Sequence, residues 1–65
     1  MIKLNNRDYP YQDGMTVRSL MDENGFVFQD IVVKINGKVV RDEAWSSTVI
    51  HDEDDVQMIH IFGGG

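Results

Sequence analysis

Cysteine is absent from this 65-residue sequence. Its absence excludes disulfides, thiolate zinc sites, cysteine-ligated iron–sulfur clusters and cysteine nucleophiles together. A secreted domain this small would need disulfide staples, so a reducing, cytoplasmic setting is expected. Basic residues are few: six Lys and Arg stand against eleven Asp and Glu, for a net charge of -5. They are scattered along the chain, whereas phosphate binding needs them clustered, which speaks against nucleic acid as a partner. No apolar stretch approaches the roughly 20 residues of a membrane span, and Met1-Ile2-Lys3-Leu4-Asn5 lacks the apolar run of a signal peptide. Proline occurs once, as Pro10, and tryptophan once, as Trp45. A chain of this length forms one domain and buries only about 60% of its unfolded surface, so its core is small.

What the sequence does have is a glycine end, Phe62-Gly63-Gly64-Gly65. A glycine run without packing side chains is expected to be flexible, which divides the chain into a folded unit over residues 1–62 and a tail over 63–65. Three extended residues reach roughly 10 Å. Such a tail carries no side-chain chemistry, but a bare backbone ending in a carboxylate can enter a channel too narrow for any side chain. The folded unit then serves to present it.

The folded unit reads as short strands around one helix. Ile2 and Leu4 alternate with Lys3 and Asn5, as in a half-buried strand. A turn is expected over residues 5–8, followed by a returning strand Tyr9-Pro10-Tyr11, placed at a sheet edge because Pro10 lacks an N–H. Thr16 suits a helix N-cap, Val17, Leu20 and Met21 share one helical face, and Gly25 suits the C-cap. Ile31, Val33 and Ile35 share one face of a further strand. Asn36-Gly37 signals a tight hairpin with both turn residues at positive φ, returning through Lys38-Val39-Val40. Residues 41–50 have no clean period, and Trp45 is expected to pin this crossover to the core. An acidic turn, Asp52-Glu53-Asp54-Asp55, precedes a last strand over residues 56–62. This order gives an α+β fold, with one helix packed across a mixed sheet of four to five strands.

The last strand offers two faces. Val56 and Met58 are the better match to a helix, which leaves Ile59 and Ile61 on the side that a single helix cannot cover. An apolar pair there, beside the tail, would dock a partner. Phe62, the last side chain before the tail, is a third candidate contact. No residues have the spacing of a catalytic or metal-binding constellation. His51 and His60 are the only histidines, Ser46-Ser47-Thr48 lacks a nucleophile-elbow context, and the glycine run precedes no helix that could cradle phosphate. The chain is therefore not expected to be an enzyme or to hold a cofactor or metal.

Taken together, Asn36-Gly37-Lys38-Val39-Val40, Trp45, Thr48, Ile50, Asp52, Asp54, Val56 and the terminal glycines resemble the ThiS family, the small sulfur carriers of thiamine biosynthesis. The resemblance covers nearly the whole chain and implies a ubiquitin-like β-grasp fold. It also implies that a ThiF-like enzyme, using ATP, adenylates the carboxylate of Gly65. Sulfur from a cysteine desulfurase or rhodanese-like donor then leaves a thiocarboxylate there, and a ThiG-like thiazole synthase consumes that sulfur. Gly64 matches the family's penultimate glycine, and Gly63 with Gly64 would thread into the partner. Other readings of such a chain are a carrier for another pathway (molybdopterin type), a ubiquitin-like modifier, or a binding module. The sequence departs from the family at Glu53, where a glycine is usual. Glutamate disfavours positive φ, so the turn is expected to take another geometry.

Overall fold

The structure, a computed structural model, describes residues 1–26 and 30–61. Five strands and one α-helix follow in the order β1 (Ile2–Leu4), β2 (Arg7–Tyr9), α1 (Val17–Asn24), β3 (Ile31–Ile35), β4 (Lys38–Val40) and β5 (Asp55–His60), with a short 3-10 helix at Asp42–Ala44. They form one sheet of order β2-β1-β5-β3-β4. Only the central β1–β5 pair is parallel, so the sheet is mixed. The helix and the crossover cover one face. Between them and the sheet lie Ile2, Leu4, Met15, Val17, Leu20, Met21, Ile31, Val33, Trp45, Ile50, Val56 and Met58. No helix among the described residues is long and apolar enough to cross a membrane.

The helix is short, so its ends matter as much as its propensities. Thr16 and Ser19 form a reciprocal cap: the Ser19 N–H donates to Thr16 Oγ1 at 3.1 Å, and the Thr16 N–H donates to Ser19 Oγ at 2.9 Å. The N–H groups of Val17 and Arg18, which a helix leaves unpaired, donate to the carbonyls of Thr48 and Trp45, both at 3.1 Å. The irregular crossover therefore closes the helix N-terminus. Trp45 is buried as expected, and its indole N–H donates to the Val40 carbonyl at 3.0 Å. At the other end Gly25 takes the left-handed conformation, φ 66, and sends its N–H to Asp22 O.

The first hairpin departs from expectation. Its turn is Asn5-Asn6, with φ of 50 and 69, so the returning strand is Arg7–Tyr9 and Pro10 lies just beyond it. Two asparagines at positive φ make the same kind of tight turn as Asn36-Gly37, with φ of 51 and 84. Asn5 also extends the central ladder where β1 ends. Its Nδ2 donates to the Met58 carbonyl at 3.2 Å, and its Oδ1 accepts from the Met58 N–H at 2.8 Å. Asn36 does the same beside β5: Oδ1 accepts from the Asp55 N–H at 2.9 Å and Nδ2 donates to Asp54 Oδ1 at 3.0 Å. Replacing Asn5 by Ala leaves both backbone groups of Met58 without these partners, and should cost about 1–3 kcal/mol of stability. Urea unfolding checks this, and a loss below about 0.5 kcal/mol, the range of ordinary surface changes, would contradict it.

The acidic turn keeps its geometry despite Glu53. That residue holds φ 71, contrary to the expectation of a different turn. Its N–H is fixed by the Met1 carbonyl and by Asp52 Oδ1, both at 3.0 Å, and these contacts offset the steric cost of left-handed backbone. β5 is also shorter than expected, beginning at Asp55 and ending at His60.

Candidate functional site

β5 crosses the middle of the sheet with its side chains alternating between the two faces. Val56 and Met58 point into the core and are buried. His60 shares that side, with its ring edge-on to Phe26 at a centroid distance of 6.2 Å. Ile59 and Ile61 face away from the helix and remain 45% and 54% exposed. The crossover packs on the opposite side of the sheet from Ile59, while its Asp42 and Trp45 line a groove shared with Ile61. Phe62, Gly63, Gly64 and Gly65, the other sequence-derived contacts and the acceptor position, lie outside the described residues, as do residues 27–29.

The open face is graded. At one end Lys3 on β1 lies across from Asp8 on β2 and beside Asp55 on β5. The Lys3 Nζ–Asp8 Oδ1 distance is 2.5 Å. This contact raises the Lys3 pKa and lowers that of Asp8, through the hydrogen bond first and the charge second. At the other end the face is apolar: Val32 on β3 lies across from Ile59, and Val39 on β4 is 62% exposed. A groove of about 320 Å³ opens at the end of the β3–β4 hairpin, where Ile61, Val32 and Val39 meet the core-side Val33, Val40 and Trp45. The Ile61 N–H donates to the Asp30 carbonyl at 2.7 Å, so the backbone is held up to the last described residue.

Lys34 and Gln57 sit across from one another between the two ends. Sequence reasoning missed Lys34, although its position in the alternation of Ile31, Val33 and Ile35 already assigned it to the face opposite the core. Among the described residues of this face none forms an acid–base pair or a nucleophile with its base. Among the described residues no three His, Asp or Glu side chains are grouped to hold a metal ion. His51, near Asp54 at 3.9 Å, is exposed at the far end of the molecule. Among the described residues, this face offers an exposed apolar surface with a charged end.

Comparison with known proteins gives a consistent picture. The model of the ThiS family matches residues 2–65. A thiazole synthase from Magnetococcus marinus is 28% identical over 64 residues, which cover 98% of this chain but 20% of that protein. The protein ycf40 of Porphyra purpurea, named as uncharacterized, is also 28% identical over 64 residues, covering 98% of this chain and 90% of its own. The crystal structure of the thiamine biosynthesis protein ThiS from Geobacter metallireducens superposes with a TM-score of 0.81 at 24% identity, covering 98% of this chain and 97% of that one. A solution structure of a thiamine biosynthesis protein from the same organism gives a TM-score of 0.76 at 24% identity, covering 98% and 86%. The similarity of fold is thus nearly complete over both chains, with one helix on a mixed five-stranded sheet. The family match extends to the final glycine, and on that match the chain belongs to the ThiS family, with a ubiquitin-like β-grasp fold.

Proposed function

We propose that this protein is a sulfur carrier of thiamine biosynthesis and that Gly65 is its acceptor. The observation that carries the proposal is the family match through residue 65. Within the thiazole synthase from Magnetococcus marinus, a segment the size of this chain is similar to it, which favours a ThiG-like acceptor of the sulfur.

A carboxylate is a poor electrophile and has to be activated. A ThiF-like partner joins the Gly65 carboxylate oxygen to the α-phosphorus of ATP and releases pyrophosphate. The terminal sulfur of a persulfide on a cysteine desulfurase or rhodanese-like donor then attacks the acyl carbon and expels AMP. A thiol reductant cleaves the S–S bond of the resulting acyl disulfide, so that a thiocarboxylate remains and the donor cysteine is released. Gly63 and Gly64 allow the chain end to thread to the reacting atoms. The carrier contributes reach, while the partners contribute acid, base and nucleotide binding. Intact mass after incubation with ATP, a sulfur donor and a ThiF-like enzyme tests this. A gain equal to the exchange of one oxygen for one sulfur is expected. An unchanged mass with a competent enzyme, or an isopeptide-linked ladder in cells, would instead favour a binding module or a modifier.

Ile59, Ile61 and Phe62 form the proposed docking contacts for the activating partner. Ile59→Asp or Ile61→Asp should weaken binding by at least about 30-fold, as for an interface residue contributing ~2 kcal/mol. Thermal stability should barely change, because both side chains are already half in water. Unfolding of either variant would make these residues part of the core and remove the docking assignment.

A further inference from the structure

Lys34 lies at the middle of β3, with Val39 opposite it on β4 and Gln57 opposite it on β5. Val32 precedes it by two residues on the same face and faces Ile59. Directly opposed side chains on a sheet have Cβ atoms about 4.5–5.5 Å apart and diagonal ones about 7–8 Å. The Lys34 stem therefore rises beside Val32 and Val39, with Ile59 diagonal to it on one side and Asp55 on the other, the latter outside ion-pair distance. It is half-buried there. Arg18 and Arg41 reach acids on their own elements, Asp22 and Glu43, and Lys3 reaches Asp8. Among the described residues no carboxylate lies within ion-pair distance of Lys34.

A partner that covers Ile59 also covers this ammonium group. A cation removed from water without a counter-charge is strongly unfavourable, and a paired one costs much less. The overall charge works in the opposite sense. At -5 the chain is drawn toward basic surfaces and repelled by acidic ones, so an acid opposite Lys34 gains nothing from long-range steering. Its effect is local: it fixes register and excludes surfaces that lack it.

We infer that Lys34 is the specificity-determining residue of the docking face, and that the adenylating partner meets it with a carboxylate set inside an apolar patch. This inference rests on the docking face proposed above. The partner surface it describes is apolar at the centre around one acid and basic toward the rim, where the carrier's acids lie.

The test uses the full-length carrier and a ThiF-like enzyme, with affinity measured at low and high salt for Lys34→Glu, Lys34→Met and Lys34→Arg, and with Ile59→Asp as a control. Lys34→Glu should lose about 100-fold or more, Lys34→Met about 10-fold with a flatter salt dependence, and Lys34→Arg much less than either. Melting temperatures should match the parent throughout. Wild-type or tighter binding by Lys34→Met, together with loss in Ile59→Asp, would leave the docking face standing and overturn the role of Lys34. Undiminished binding in both Lys34→Glu and Ile59→Asp would overturn the docking face and the inference with it.

Discussion

Deletion of Gly64 and Gly65 is expected to abolish sulfur loading to below detection while leaving the melting temperature within about 1 °C of the full chain. The two halves of this result have separate causes. Stability resides in the core between sheet, helix and crossover, whose last member among the described residues is Met58. Glycine brings no apolar side chain to that core, so its removal should not change it. Reactivity depends on where the terminal carboxylate can go. Two extended residues span about 7 Å, and the shortened chain would also bring the bulk of Phe62 that much closer to the reacting centre. A displacement of about 1 Å can already cost about 10²-fold in rate, so a shortfall several times larger should stop transfer of AMP altogether. Intact mass reports loading, and calorimetry reports the fold. Retained loading on Gly63 would show that the partner's channel tolerates a shorter reach, and that the acceptor position is not fixed at residue 65.

The second large effect is the reverse case, loss of fold without loss of the reacting group. Leu20 is fully buried at the centre of the helix face. Leu20→Ala should cost about 2–5 kcal/mol, from lost apolar burial plus the cavity left behind. In a domain this small each kcal/mol is worth about 4–8 °C, so the melting temperature should fall by roughly 8–40 °C. Trp45, the single tryptophan and itself in the core, gives a fluorescence signal for this transition. Sulfur loading should follow the folded fraction as temperature rises. A fall of less than about 5 °C would mean that the core relaxes into the space, and that the helix carries less of the stability than its burial indicates.

These predictions depend on features that were legible to different degrees in the sequence. The helix was the clearest, because Thr16 and Gly25 bracket an amphipathic run and each end has its own chemistry. The Asn36-Gly37 hairpin was equally plain. The first hairpin misled because Pro10 drew attention to the wrong segment. The turn belongs to Asn5-Asn6, and only the long-range bonds from Asn5 to Met58, 53 residues away, show why asparagine stands there. Glu53 misled in another way. Local propensity argues against its φ, but two hydrogen bonds, one from the far end of the chain, decide it. The exposed position of Ile59 and Ile61 followed from simple alternation once Val56 and Met58 were assigned to the core. Lys34 was harder to see. A single lysine between valine and isoleucine reads as an ordinary solvent-facing residue until the neighbouring strands are known, since its significance comes from Val39 and Gln57 on either side.

The parallel pairing of β1 with β5 has a practical consequence. Met1 lies against the Asp52-Glu53 turn, just before β5 begins, and β5 then runs the length of the sheet to His60. Six residues of strand, Asp55–His60, put about 20 Å between these two poles. A protein tethered through its amino end to a sensor surface or bead would therefore hold the Ile59–Ile61 end outward. Immobilisation in that orientation should leave the partner-facing end unobstructed, whereas attachment through Lys34 would cover the surface under test.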